Sequence, residues 1–150
     1  MGHTFSNNLY HVIFSTRKRA PMLTASHRDE IIRYMCGIMK NKHGIPLCVN
    51  AVEDHLHMLA RISPDMAVSK FVGEVKGNSS KWISDTFPDI PGFAWQAGYA
   101  CFTVSESARH SVAAYIRNQQ EHHKMRSFAD ELAAMLRKNG LPFDPAHYLD

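Results

Sequence analysis

The sequence predicts an α+β fold of the ferredoxin-like type, an antiparallel sheet built in the order βαββαβ with helices on one face, followed by two more helices. Three observations predict it. Four short segments rich in β-branched and aromatic residues are separated by two longer segments whose apolar residues recur at helical spacing. Proline and glycine punctuate the joints. No window approaches the roughly 18 apolar residues that a membrane span requires.

Residues 9–16 (LYHVIFST) form the first expected strand, ended by a basic triplet and Pro21. Ser26 with Asp29 gives a capping-box-like start to a helix carrying Ile31, Met35, Ile38 and Met39, and Gly44 and Pro46 stop it. Residues 47–52 and 56–62 read as two strands separated by the acidic pair Glu53 and Asp54. Val68, Phe71, Val72, Val75, Ser79, Trp82 and Ile83 mark a second amphipathic helix, ending near Pro88 and Pro91. Residues 98–104 (GYACFTV) make a fourth strand. Ser105 is placed to cap a third helix running to about His122, with Glu106 at its positive end. Ser127 with Asp130 opens a last helix bearing Phe128, Leu132, Met135 and Leu136, closed by Gly140.

The length of 150 residues suits one domain, with a core over about 8–123 and a helical tail over about 126–150. Three widely spaced cysteines without a C-x-x-C motif argue against a disulfide framework and a zinc ribbon, and fit a reducing, cytoplasmic setting. No basic and apolar leader opens the chain, so neither export nor membrane insertion is expected. A net charge of +3 permits nucleic acid as a partner without demanding it. The positive charge is concentrated at Arg17, Lys18 and Arg19, and at Lys70, Lys76 and Lys81.

The stretch EDHLHMLARI raises the functional question. Side-chain alternation sends His55, His57, Leu59 and Arg61 to one face and Leu56, Met58, Ala60 and Ile62 to the other. With ten histidines in the chain, about 0.7 His-x-His pairs arise by chance, so the pair alone decides nothing. A second pattern joins it: Tyr115 and Gln119 lie four apart in YIRNQQEHHK, on one helical face. If that helix packs over the histidine face, two imidazoles and an amide oxygen can hold a divalent cation with a phenol one turn away. This arrangement suits phosphoryl transfer, because a tyrosine needs its oxygen positioned and the phosphate polarised before it can attack at neutral pH. Imidazole ligands by themselves favour manganese, cobalt or zinc over magnesium. Glu53, two residues before His55, is placed to orient that imidazole. His122 and His123 point about 100° apart and are not counted among the ligands.

EDHLHMLARI, KGNSSKW, WQAGYACFTVS and YIRNQQEHH, in this order and spacing, resemble the single-tyrosine HUH transposases of the insertion-sequence-200/605 group, over roughly residues 8–123. The resemblance implies a DNA transposase in which His55, His57 and Gln119 bind a divalent metal, Mg2+ or Mn2+, and Tyr115 cuts single-stranded DNA through a 5′-phosphotyrosine. It further implies recognition of DNA hairpins at the element's ends and a homodimer, with active sites shared between chains. STRKRAP and KGNSSKW match family segments that meet DNA, which makes Arg17, Lys18, Arg19, Lys76 and Lys81 the expected DNA-binding residues. Pro-Asp commonly precedes the first histidine in such sequences, whereas this chain has Glu53-Asp54. Two alternatives stay open: a domesticated relative acting on dispersed palindromic repeats, and a non-catalytic single-stranded nucleic-acid-binding module using the sheet as a stacking platform. The tail after Arg126 carries no functional expectation.

Overall fold

The computed structural model describes residues 2–150. Four antiparallel strands, β1 (Leu9–Ser15), β2 (Ile45–Ala51), β3 (His55–Arg61) and β4 (Ala100–Thr103), form one sheet in the order β2-β3-β1-β4. This is the expected α+β, ferredoxin-like arrangement. The two long helices, α1 (Ala25–Asn41) and α2 (Val68–Thr86), cover one face. Three shorter ones follow β4: α3 (Arg109–Arg117), α4 (Gln119–Met125) and α5 (Phe128–Lys138).

Strand alternation divides the core in two. Val12 and Phe14 of β1, with Leu56, Met58 and Ala60 of β3, pack against Met35 and Met39 of α1 and Phe71, Val72 and Val75 of α2. Fully burying a side chain of this size stabilises by roughly 1.5–3 kcal/mol, so this layer is the main source of stability. The opposite face is also covered. Leu9 and Leu59 meet Ala113 and Ile116 of α3, and Ile13 and Phe102 meet Phe128 and Leu132 of α5. Between these two small apolar clusters the same face carries His11, His55 and His57, all buried.

Several element ends differ from expectation. Thr24, not Ser26, precedes α1, and its hydroxyl meets Ser26 Oγ at 3.3 Å instead of capping a backbone N–H. β2 starts at Ile45 and tolerates Pro46 because it is an edge strand, where a missing N–H costs no ladder bond; the register shifts between Pro46 and Cys48. Ser105 opens a single 3-10 turn (Glu106–Ala108) ahead of α3, and its hydroxyl bonds Ser107. The Ser127–Asp130 cap forms as expected, with the Asp130 N–H donating to Ser127 Oγ at 3.2 Å. Gly140, at φ 68°, ends α5 in the left-handed conformation that glycine adopts without steric cost.

The expected single third helix is interrupted at Asn118 (φ −95°, ψ 20°), which ends α3 and begins α4. A side chain from the sheet explains the break. Asn50 of β2 donates from Nδ2 to the carbonyls of Ile116 at 2.9 Å and Arg117 at 3.1 Å, satisfying helix-end acceptors that would otherwise need the next turn. Gln120 donates back to Asn50 Oδ1 and to the Ala51 carbonyl, both at 3.1 Å. The junction that carries Tyr115 and Gln119 is thereby anchored to the histidine-bearing sheet.

Candidate active site

His55 and His57 project from β3 toward α3, α4 and α5, as alternation requires, and are 1 % and 0 % exposed. Both imidazoles are held from behind at Nδ1. His55 Nδ1 bonds Asp54 Oδ1 at 2.7 Å, and His57 Nδ1 meets His11 Nε2 of the neighbouring β1 at 2.8 Å. Both Nε2 atoms therefore face inward, to one point. There Glu131 of α5 places Oε1 at 2.9 Å from His57 Nε2 and 3.3 Å from His55 Nε2. Gln119 Oε1 lies 3.3 Å from His55 Nε2. The other Glu131 oxygen accepts from the Tyr115 hydroxyl and, at 3.3 Å, from the Gln119 amide. Phe128 stacks on the His55 ring at 4.5 Å and His122 on the Tyr115 ring at 4.5 Å, closing the cluster on two sides.

The electrostatics follow from this wiring. Burial alone lowers the His55 pKa, but hydrogen bonds to Asp54 and Glu131 outweigh it and raise it to about 9. His57 goes the other way, lowered by burial. His11 is pushed down to about 3, first by burial and then by His57, so it stays neutral. Burial opposes ionisation of Glu131, yet bonds to His55, His57 and Tyr115 hold its carboxyl well below the usual carboxylate range. Burial first, and the adjacent carboxylate second, raise the Tyr115 phenol above its ordinary value. The tyrosine is thus not activated by its protein surroundings alone.

The donor set fits a divalent cation. Two imidazole nitrogens, an amide oxygen and a carboxylate oxygen converge, and each histidine has its far nitrogen hydrogen-bonded in the manner that orients a metal-ligating ring.

Of the residues expected from sequence, the structure brings His55, His57, Gln119 and Tyr115 together. Other expectations change. Glu53 does not hold His55: it lies in the turn before β3, where its carboxylate bonds His123 Nε2 at 2.9 Å, and Asp54 takes the orienting role. Lys76 is not free for phosphate. Its ammonium donates to the carbonyls of Gln96 (2.8 Å), Ala97 (3.2 Å) and Gly98 (2.7 Å), and burial lowers its pKa to about 8. Lys81 is exposed and pairs with Asp85 at 2.8 Å, a contact that solvent makes weak. Arg17, Lys18 and Arg19 form an exposed 3-10 turn, and none of the three has an ion-pair partner among the described residues. In this structure of a single chain, Tyr115 lies beside the histidines of its own chain. Val104 and Val112, on either side of the link from β4 to α3, pack on Leu9 and Leu59.

Sequence reasoning missed Glu131, His11 and Asp54. Each left a signal: Glu131 is a carboxylate within the apolar stripe Phe128, Leu132, Met135, His11 interrupts an otherwise apolar strand, and Asp54 directly precedes the first histidine.

The family model described as "Transposase IS200 like" matches residues 4–119. The chain is 30% identical over 130 residues to the transposase for insertion sequence element IS200 of Salmonella typhimurium, covering 83% of this chain and 85% of that one. A crystal structure of a putative transposase from Deinococcus radiodurans superposes with a TM-score of 0.63 at 26% identity, over 79% of this chain and 96% of the other. A REP-associated tyrosine transposase bound to a REP hairpin shares the fold, with a TM-score of 0.61 at 11% identity over 82% and 72% of the two chains. Fold and comparisons together define a transposase of DNA. The chain belongs to the IS200-like transposase family.

Proposed function

We propose that this transposase cuts and rejoins single-stranded DNA with Tyr115 as nucleophile, using a divalent cation held by His55, His57 and Gln119. The observation that carries the reading is the inward convergence of both Nε2 atoms, with Tyr115 brought to the same point by Glu131. The Tyr115 oxygen attacks the scissile phosphorus and the P–O3′ bond breaks. The phenolic proton ends on the departing 3′-hydroxyl, and the 5′ end stays on the tyrosine. When bound, the cation, Mg2+ or Mn2+, polarises the phosphate and offsets the charge that develops on it. Rejoining is the reverse attack by a 3′-hydroxyl.

A cleft of about 360 Å3 beside Tyr115, lined also by His11, Ser111, Arg126 and Lys138, offers space and positive charge for the nucleotides next to the cut. The exposed Arg17-Lys18-Arg19 turn is the proposed contact for more distant phosphates. The hairpin preference rests on family membership, and the fold neighbour solved with a REP hairpin supports it, since a related architecture seats one. Exchange of two ends needs two tyrosines, so two copies are proposed to work together, each with a complete site.

The test is cleavage of end-labelled, hairpin-bearing single-stranded DNA with Mn2+, in wild type and in a mixture of Tyr115→Phe with His57→Ala. Wild type is expected to cleave and the mixture to stay inactive, since each variant lacks half of its own site. Absence of metal-dependent cleavage in wild type contradicts the reading, and recovery in the mixture contradicts one-chain sites.

A further inference from the structure

Glu131 lies beyond the family match, which spans residues 4–119. Yet the residue is buried, 4 % exposed, and its carboxylate touches His55, His57, Tyr115 and Gln119. We propose that Glu131 completes the cation site with one oxygen and aims the Tyr115 hydroxyl with the other, making the C-terminal helix part of the catalytic apparatus. This rests on the proposed cation site.

The spacing supports ligation. Donor atoms bound at about 2.1 Å and at right angles to one cation lie about 3 Å apart along the edges of the octahedron. Glu131 Oε1 is 2.9 Å from His57 Nε2 and 3.3 Å from His55 Nε2, and Gln119 Oε1 is 3.3 Å from His55 Nε2. Three separations between four donors on β3, α4 and α5 thus match octahedral edges. The chemistry supports it as well. Two imidazoles and an amide are neutral and favour borderline metals, whereas an added carboxylate shifts preference toward the oxygen-seeking Mn2+ and Mg2+ and neutralises one charge in a dry site.

The helix is built to deliver this group. Ser127 caps its first turn, and Phe128 and Leu132, one turn apart, bury against Ile13 and Phe102. Residue 131 is fixed on the same stripe, facing the histidines. Oε2 then holds the phenol, so the nucleophile and the cation site share one rigid carboxylate. The Tyr115 oxygen is a reacting atom, which makes Glu131 a catalytic residue by contact.

The test is Mn2+ titration by calorimetry of wild type, Glu131→Gln, Glu131→Ala and His57→Ala, each checked for folding by circular dichroism. Wild type is expected to bind and His57→Ala to lose binding. Glu131→Gln is expected to weaken Mn2+ by at least about tenfold and to form the covalent DNA adduct more slowly even at saturating Mn2+. If Glu131→Gln does not fold, Glu131→Ala with added acetate takes its place, and acetate is expected to restore part of the affinity. Unchanged or tighter Mn2+ binding by the folded Glu131 variants overturns the proposal and makes the carboxylate a plug, while the cation site itself stands. Failure of wild type to bind Mn2+, or full binding by His57→Ala, overturns the cation site and the proposal together.

Discussion

His11 Nε2 and His57 Nδ1 lie 2.8 Å apart across the β1–β3 pair, two buried imidazoles sharing one proton position. With Glu131 accepting from His57 Nε2–H, the proton between the rings belongs to His11. For His57 Nε2 to hold a cation, the inter-ring proton would sit on His57 Nδ1, and His11 would stay neutral by taking up at its own Nδ1 the proton that His57 Nε2 gives up. His11→Phe, similar in size but without a nitrogen, is therefore expected to weaken Mn2+ binding by about 10- to 100-fold while the protein stays folded. Calorimetric titration measures it, and an unchanged affinity means His57 needs no orienting partner.

Asp54 and Glu53 are neighbours with different jobs. Asp54→Asn keeps the size of the side chain but exchanges a charged acceptor for a weaker amide on His55 Nδ1, so metal affinity and cleavage should both fall by about tenfold or more. Glu53→Gln breaks only a half-exposed contact to His123 and should change either by less than about twofold. Parallel measurement of the two variants decides the assignment, and equal effects would reject it.

Metal binding should displace a proton. In the metal-free protein His55 has its pKa raised from 6.5 to about 9, so its protonated form contributes stability that is full below about pH 6.5 and fades as pH rises through about 9. A cation on Nε2 requires the neutral ring. At pH 7.5 Mn2+ binding should therefore release about one proton, and affinity should rise with pH until about 9. Titrations in buffers of different ionisation enthalpy count the protons; a count of zero contradicts the ionised His55.

Lys76 and the Arg17-Lys18-Arg19 turn separate structural from DNA-binding charge. Lys76→Met leaves three carbonyls at 96–98 without their donor and should lower stability by about 1–3 kcal/mol, with little change in the salt dependence of DNA binding. Replacing the triplet by glutamines should leave the melting temperature nearly unchanged and reduce the salt slope by about 0.7 for each phosphate that is no longer neutralised. Thermal melts and binding titrations across salt check both. A reversed pattern would return Lys76 to the DNA.

What the sequence disclosed was what short-range periodicity encodes. Alternation along β3 put His55 and His57 on one face, helical spacing found α2, and the four-residue interval paired Tyr115 with Gln119. Interactions between distant segments left no such period. The break at Asn118 is made by Asn50 from another strand, the donors of Lys76 are spent on a loop twenty residues on, and Glu131 meets the histidines only because α5 folds back over the sheet. Strand parity carried back from His55 points to Glu53, but residues 53 and 54 lie outside β3, so that parity does not reach them.

Tyr115 is the residue proposed to form the covalent link to DNA. Wild-type protein is incubated with hairpin-bearing single-stranded DNA and Mn2+, the denatured adduct is digested, and the modified peptide is identified by mass spectrometry. The predicted result is a 5′-phosphoryl linkage on Tyr115 and no adduct with Tyr115→Phe, whose fold and DNA binding remain intact. An adduct on another residue, or one that persists in Tyr115→Phe, contradicts Tyr115 as the nucleophile.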